Sequence, residues 1–146
     1  TTRPGGIRIM KKNISPASMQ SHAHAQHIVM VCVTRQRTCA RLIEAGENIA
    51  AERALPLHVV HAVKTGENFL GNELDGEALE YLFTAAQLVG GDLAVLRADD
   101  VEAALVDYAH AHDASVIVLG ASPTGEGESF VMRMQRRLPH VRLEII

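Results

Sequence analysis

ASVIVLGASPTGEGESFVMRMQRR, residues 114–137, decides the fold. The apolar run Val116, Ile117, Val118, Leu119 ends in Gly120, passes through a Pro/Gly/Ser loop, and enters a segment with helical spacing to Arg137. A strand, a loop of phosphate size and a helix follow one another. In an α/β fold this places backbone N–H groups and a positive helix end at the carboxyl edge of a sheet, where anions bind.

Working outward, the same alternation recurs along the chain. Ile28 to Val33 is an unbroken apolar run, expected of a central parallel strand covered on both faces. Thr38 to Arg53 places Leu42, Ile43, Gly46, Ile49 and Ala50 on one helical face, with Thr38 as the expected N-cap. Leu57 to Val63 reads as a second strand and Lys64 to Asp75 as a loop. A helix is predicted from Gly76 to Val89 with Leu79, Leu82, Phe83, Ala86 and Val89 inward, ended by Gly90 and Gly91. Asp92 to Arg97 is a third strand, and Asp99 or Asp100 caps a third helix carrying Val101, Ala104, Leu105, Tyr108 and Ala109. Ser115 to Gly120 is strand four, Glu128 to Leu138 helix four, and Val141 to Ile146 an alternating fifth strand. Five strands and four helices predict one α/β domain over 27–146: a doubly wound, three-layer unit with a five-stranded parallel sheet.

Residues 1–26 lack periodicity and are rich in Gly, Pro, Ser and His, so they read as a flexible N-terminal arm or an appended remnant, with Met10 a candidate natural start. His22, His24 and His27 invite a metal reading, but no Cys, Asp or Glu lies near them and adventitious binding is the expectation. No metal site is predicted.

Composition narrows the function. With no Trp, 3% aromatic residues and a net charge of -3, the chain lacks the stacking platform and basic face of a nucleic-acid binder. No apolar run approaches the ~18 residues of a membrane span, so no membrane insertion is expected. Two cysteines make no disulfide framework; Cys32 lies in a predicted buried strand, where a thiol serves as a small hydrophobe. A reducing, cytoplasmic setting follows.

At the carboxyl edge, strand one delivers Thr34, Arg35, Gln36 and Arg37; strand two delivers His61 and Lys64; strand four delivers Gly120, Ala121 and Ser122; and the start of helix four adds Gly125, Gly127 and Ser129. Arginines, hydroxyls and a glycine-rich turn converge there, a set suited to a phosphate or nucleotide. The plain alternative is that Arg35 and Arg37 are solvated loop residues and the glycines only turn the chain. No catalytic residues are expected. The loop is neither a Walker motif nor GxGxxG, and Gly120-Ala121-Ser122-Pro123-Thr124 fails the GxSxG elbow at its last position. His58, His110, His112 and His140 have no neighbouring nucleophile and read as surface or packing residues.

From Ile28 onward the chain resembles the universal stress protein superfamily, within it the branch found as a domain of KdpD-type potassium-sensing histidine kinases. The resemblance rests on IVMVCVT at Ile28 to Thr34, Arg41-Leu42-Ile43, Val60-His61-Ala62 and ADDVEAALVDYAHAHDASVIVLG at Ala98 to Gly120. It implies strand order 3-2-1-4-5, homodimerisation through the last strand, here Val141 to Ile146, and in one subgroup ATP binding through Asp after strand one and Gly-x2-Gly-x9-Gly-Ser/Thr after strand four. Here Thr34 replaces the aspartate, Pro123 the second glycine, and the loop is shortened, leaving Gly127 and Ser129 as approximate counterparts of the last pair. Proline has no N–H to donate to a phosphate, so the motif is degenerate. Some members of the kinase branch resemble cyclic di-AMP binders through Ser-x-Ser and Phe-Thr-Ala-x-Tyr; the matching positions hold Thr34 and Gln36, then Leu57, His58, Val59 and His61. The reading that results is a non-enzymatic stress-type domain sensing a nucleotide or small anion, with ATP, AMP or a cyclic dinucleotide as candidates. The alternative is a ligand-free protein-interaction or dimerisation module in stress or potassium-related signalling, using the sheet edge and the Arg133, Arg136, Arg137 face.

Overall fold

The computed structural model describes Gly6–Ile7 and residues 27–121 and 126–146. Five strands, β1 (Ile28–Val33), β2 (Leu57–Lys64), β3 (Asp92–Ala98), β4 (Ala114–Leu119) and β5 (Arg142–Ile145), alternate with helices α1 (Gln36–Arg53), α2 (Asp75–Leu88), α3 (Val101–Ala111) and α4 (Glu126–Arg137). The strands form one parallel sheet in the order β3-β2-β1-β4-β5, as expected. The two residues Gly6–Ile7 add a short parallel pair outside β3, opposite Asp92 and Leu93. The rest of the segment expected as an arm, including His22 and His24, lies outside the described residues.

Alternate residues of each strand enter separate cores. Val29, Val31 and Val33 of β1 join Leu42 and Ile43 of α1 and Leu82 of α2 on one face. Met30 and Cys32 join Leu105 and Val106 of α3 and Met134 of α4 on the other. Both faces of β1 are therefore covered, which is why its sequence shows no polar alternation.

Some boundaries move for identifiable reasons. Thr38 is not the N-cap of α1: Arg35 holds that position without a side-chain cap, and the Thr38 hydroxyl donates back to the Arg35 carbonyl at 3.1 Å. In α2 the buried residues are Ala78, Leu82 and Ala86, while Leu79, expected inward, is 37% exposed. Small alanines let this helix lie close to the sheet, and Leu79 falls off the contact stripe. Asp100 is the cap of α3, its Oδ1 accepting from the Ala103 N–H at 3.0 Å.

Cys32 and Cys39 are both buried, and burial pushes their thiols up to about 12 and about 11. Neither forms a thiolate at neutral pH, so both act as packing residues. Among the described residues no helix is long and apolar enough to cross a membrane.

Candidate functional site

The strand order reverses between β1 and β4, and the chain leaves these strands in opposite directions to cover opposite faces. A crevice must open there, at the carboxyl ends of the strands. It holds a cavity of about 1050 Å³ whose floor includes Cys32, Val33 and Leu119 and whose rim carries Arg35, Arg37, Arg41 and Arg133. A second lobe of about 520 Å³ shares Thr34, Arg35, Ala62 and Val101 with it and extends past Lys64 to the β2–α2 loop. The main cavity, at the upper end of the usual size, has the mixed lining of a small-molecule site.

The expected site residues divide into four groups. Thr34, Arg35, Arg37, Gly120 and Ala121 line the main cavity. Gln36 opens α1 in an exposed position and is absent from both linings. Ser122 and Gly125 lie outside the described residues, and Gly127 and Ser129 fall within α4 without described side chains. Ala121 keeps its place but not its donor: its N–H binds the Ile146 carbonyl at 3.1 Å, while the Ile146 N–H binds Leu119 O at 2.9 Å.

His61, expected at the crevice, lines the second lobe and is 2% exposed, with both ring nitrogens engaged by the backbone. The Leu70 N–H donates to Nε2 at 2.9 Å, and Nδ1 lies 2.9 Å from the Val33 carbonyl. An accepting Nε2 places the proton on Nδ1, which donates to Val33. Burial holds the His61 pKa below the ordinary value; the Val33 bond opposes this and the Arg97 charge adds to it. Neither ring nitrogen is left for a ligand. The ring fixes the short 3₁₀ turn Phe69–Gly71, in which Leu70 is left-handed with φ 55° and its side chain is buried. Arg97 stacks 4.3 Å from the Phe69 ring and donates to Glu67 O at 2.8 Å, so it braces the same loop.

Two cavity arginines were not read as site residues. Arg41 stands one turn beyond Arg37 at the crevice rim; the Arg35-x-Arg37-x3-Arg41 spacing is the signal that marks it. Arg133 had been grouped with a solvated basic face. Its Nε donates to Glu102 Oε1 at 2.6 Å, and Arg137 Nη1 donates to Glu102 Oε2 at 3.1 Å, bridging α4 to α3. The Arg133 hydrogen bond, with Arg137 helping, holds the Glu102 carboxyl below the usual carboxylate range. That basic face is thus partly an interhelical brace.

Among the described residues, the other histidines line neither cavity. His58 shares a 2.7 Å hydrogen bond with the Tyr108 hydroxyl, and His112 stacks on Tyr108 with ring centroids 4.0 Å apart. His27 contacts Asp113, with Nδ1 3.3 Å from its carbonyl. Among the described residues, no group of three or more His, Cys, Asp or Glu is placed to hold a metal ion.

The parallel sheet of order 3-2-1-4-5 with helices on both faces matches the fold of the universal stress proteins, and solved structures of that kind are what the chain is similar to. A universal stress protein from Archaeoglobus fulgidus matches with a TM-score of 0.65 at 18% identity, covering 88% of this chain and 98% of its own. A universal stress protein in complex with cAMP matches at 0.59 and 20% identity, covering 84% and 97%. The universal stress protein from Archaeoglobus fulgidus in complex with dAMP matches at 0.57 and 22% identity, covering 83% and 97%. At these identities the likeness is one of fold. No protein-family model and no curated protein matches the sequence.

Proposed function

We propose that this chain is a non-enzymatic, universal stress-type sensing domain that binds a nucleotide in the β1/β4 crevice. One observation carries the reading: among the described residues, the main cavity is lined by four arginines and by no Asp or Glu. Guanidinium groups recognise phosphate with paired N–H donors, and since only Arg133 of the four is ion-paired among the described residues, to Glu102, the lining keeps a positive charge that attracts anions. That structural neighbours were solved with cAMP and dAMP supports a nucleotide over other anions. The same reading takes the glycine loop as degenerate, AMP, ATP or a cyclic dinucleotide as the candidate ligands, and a cytoplasmic, KdpD-like signalling context as the setting.

A thermal-shift panel of AMP, ATP, cAMP and cyclic di-AMP tests it. A ligand at about 100 times its dissociation constant should add about 2.7 kcal/mol of stability. The gain should fall in Arg35→Gln. No shift with any member of the panel would sink the proposal.

Self-association through β5 belongs to the same reading. This strand is paired on one side by β4, and along its other side Ile145 is 43% exposed. An edge carrying free backbone groups and an apolar side chain favours pairing with a second copy. Light scattering should give a dimer for the wild type and a monomer for Ile145→Lys. A wild type that stays monomeric as concentration rises would remove this part of the reading.

A further inference from the structure

The β2–α2 loop walls the second lobe, and one buried ring ties that wall to the sheet. Gly66, Glu67, Asn68 and Gly71 of this loop line the lobe together with Thr34, Arg35 and His61. The loop leaves β2 with the Thr65 N–H donating to the Ala98 carbonyl at 3.1 Å, and enters α2 through Asn72, whose Oδ1 accepts from the Leu74 N–H at 2.8 Å. Between these ends its other backbone bonds are local: Glu67 to Lys64, Gly71 to Asn68 and Asn72 to Phe69. Among the described residues, the hydrogen bonds that tie the middle of the loop to the sheet are those of the Leu70 N–H to His61 Nε2 and of Arg97 Nη1 to the Glu67 carbonyl.

Both ties depend on His61 staying neutral. A protonated ring carries a proton on each nitrogen, so Nε2 changes from acceptor to donor and meets the Leu70 N–H head on. The same proton adds a cation beside Arg97, whose charge already disfavours it. Of the other charged groups around the lobe, Arg35 after β1 and Lys64 of β2 are cations, and Glu67 of the loop is a carboxylate. α3 contributes the apolar Val101. On the core face that α1 and α2 cover, the titratable groups are Cys39 and Tyr81, both held neutral by burial.

Flanking glycines give the segment its joints. Gly66 and Gly71 have φ of 92° and 71°, and a Cβ on Gly66 would meet nothing within 4 Å. Leu70 between them holds a left-handed backbone that costs a leucine and that opening relieves. Against this stands its buried side chain, which with the neutral ring keeps the turn closed.

We infer that His61 is a proton-operated latch: with the ring neutral the Phe69–Gly71 turn closes the second lobe, and protonation releases the turn about Gly66 and Gly71 and opens the lobe. The latch acts on the wall of the lobe, whatever the crevice binds. Because burial depresses the folded pKa of the ring, the latch is shut at neutral pH and releases as pH falls below the ordinary histidine value of about 6.5.

NMR of the full chain from about pH 7.5 to about pH 5 tests this, following the His61 ring together with amide protection factors. Leu70 protection should fall about tenfold or more with the midpoint of the ring, while Val31 and Val118 in the central strands change by less than about threefold. In H61Q, whose amide accepts without titrating, Leu70 protection should stay flat. R97Q removes the facing cation and should move the midpoint to higher pH; should H61Q not fold, the wild-type and R97Q midpoints decide. A Leu70 amide that keeps its protection while the ring titrates would overturn the latch, as would a ring that stays neutral throughout. Loss of Val31 and Val118 protection in step with Leu70 would also overturn it, by showing global unfolding in place of local release.

Discussion

Replacing His61 with alanine is expected to lower the unfolding free energy by roughly 2–6 kcal/mol at neutral pH, because two buried backbone groups lose their partners at about 1–3 kcal/mol each. The Leu70 N–H and the Val33 carbonyl both rely on this ring. The first of them holds a left-handed leucine, a conformation that non-glycine residues adopt at a cost, so the Phe69–Gly71 turn should loosen with it. His61→Gln should recover part of the loss, since its amide can replace one of the two bonds. Chemical denaturation of the three proteins measures this; an alanine variant within about 1 kcal/mol of wild type would show that water replaces both bonds.

The same residue gives stability a pH dependence whose sign is determined. Its folded pKa is depressed, so the unfolded chain takes up the proton first as pH falls. The His61 contribution is fully present above the unfolded value of about 6.5 and is lost as pH falls from there through the folded pKa. Wild-type stability should therefore decline from pH 7.5 toward pH 5, more steeply than that of His61→Ala. Parallel pH profiles for the two proteins would contradict the assignment of the neutral, Nδ1-protonated ring.

Gly46→Val is expected to cost about 3 kcal/mol or more, the upper end for overpacking a core. Gly46 lies on the buried face of α1, and a Cβ there would overlap Val31 Cγ2 and come within 3.2 Å of Leu57 Cδ1. Val31 is wholly buried in the central strand, and its β-branched side chain is stiff and closely packed, so it yields little room. Better helix propensity offsets less than about 1 kcal/mol of this. Because α1 must lift from the sheet to admit the side chain, nucleotide affinity should fall as well, through displacement of Arg37 and Arg41. Gly46→Ala combined with Val31→Ala should be more stable than the sum of the single changes predicts. Strict additivity of the pair would contradict the close approach.

Much of the fold was legible because burial on two faces leaves a local signature. The continuous run Ile28 to Val33 and the run Val116 to Leu119 marked the two central strands, and both are buried throughout in the structure. Asp100 was legible as a cap because its carboxylate acts three residues away. The weaker readings failed where a neighbour in space overrode the local signal. Leu79 fits an amphipathic stripe, but the alanines of α2 define the contact line. Thr38 suits an N-cap, but α1 begins two residues earlier, directly after β1.

The site was legible in outline only. That the carboxyl ends of strands one and four would form a crevice followed from the alternation of strands and helices, since parallel strands with right-handed crossovers leave few other arrangements. Which groups stay available in it did not. His61 and Ala121 lie in the expected segments, yet their polar atoms bind Val33, Leu70 and Ile146, residues 28, 9 and 25 positions away in the chain. Arg41 and Arg133 look alike in sequence, as exposed helical arginines, and only the packing of α3 beside α4 gives one of them Glu102 as a partner. The amino-acid sequence by itself determined the layers, the strand count and the place of the crevice, because periodicity and burial are properties of each segment. The tertiary structure alone decided which donors and charges remain unpaired at that crevice, because hydrogen bonds and ion pairs form between segments that meet only when the sheet is assembled.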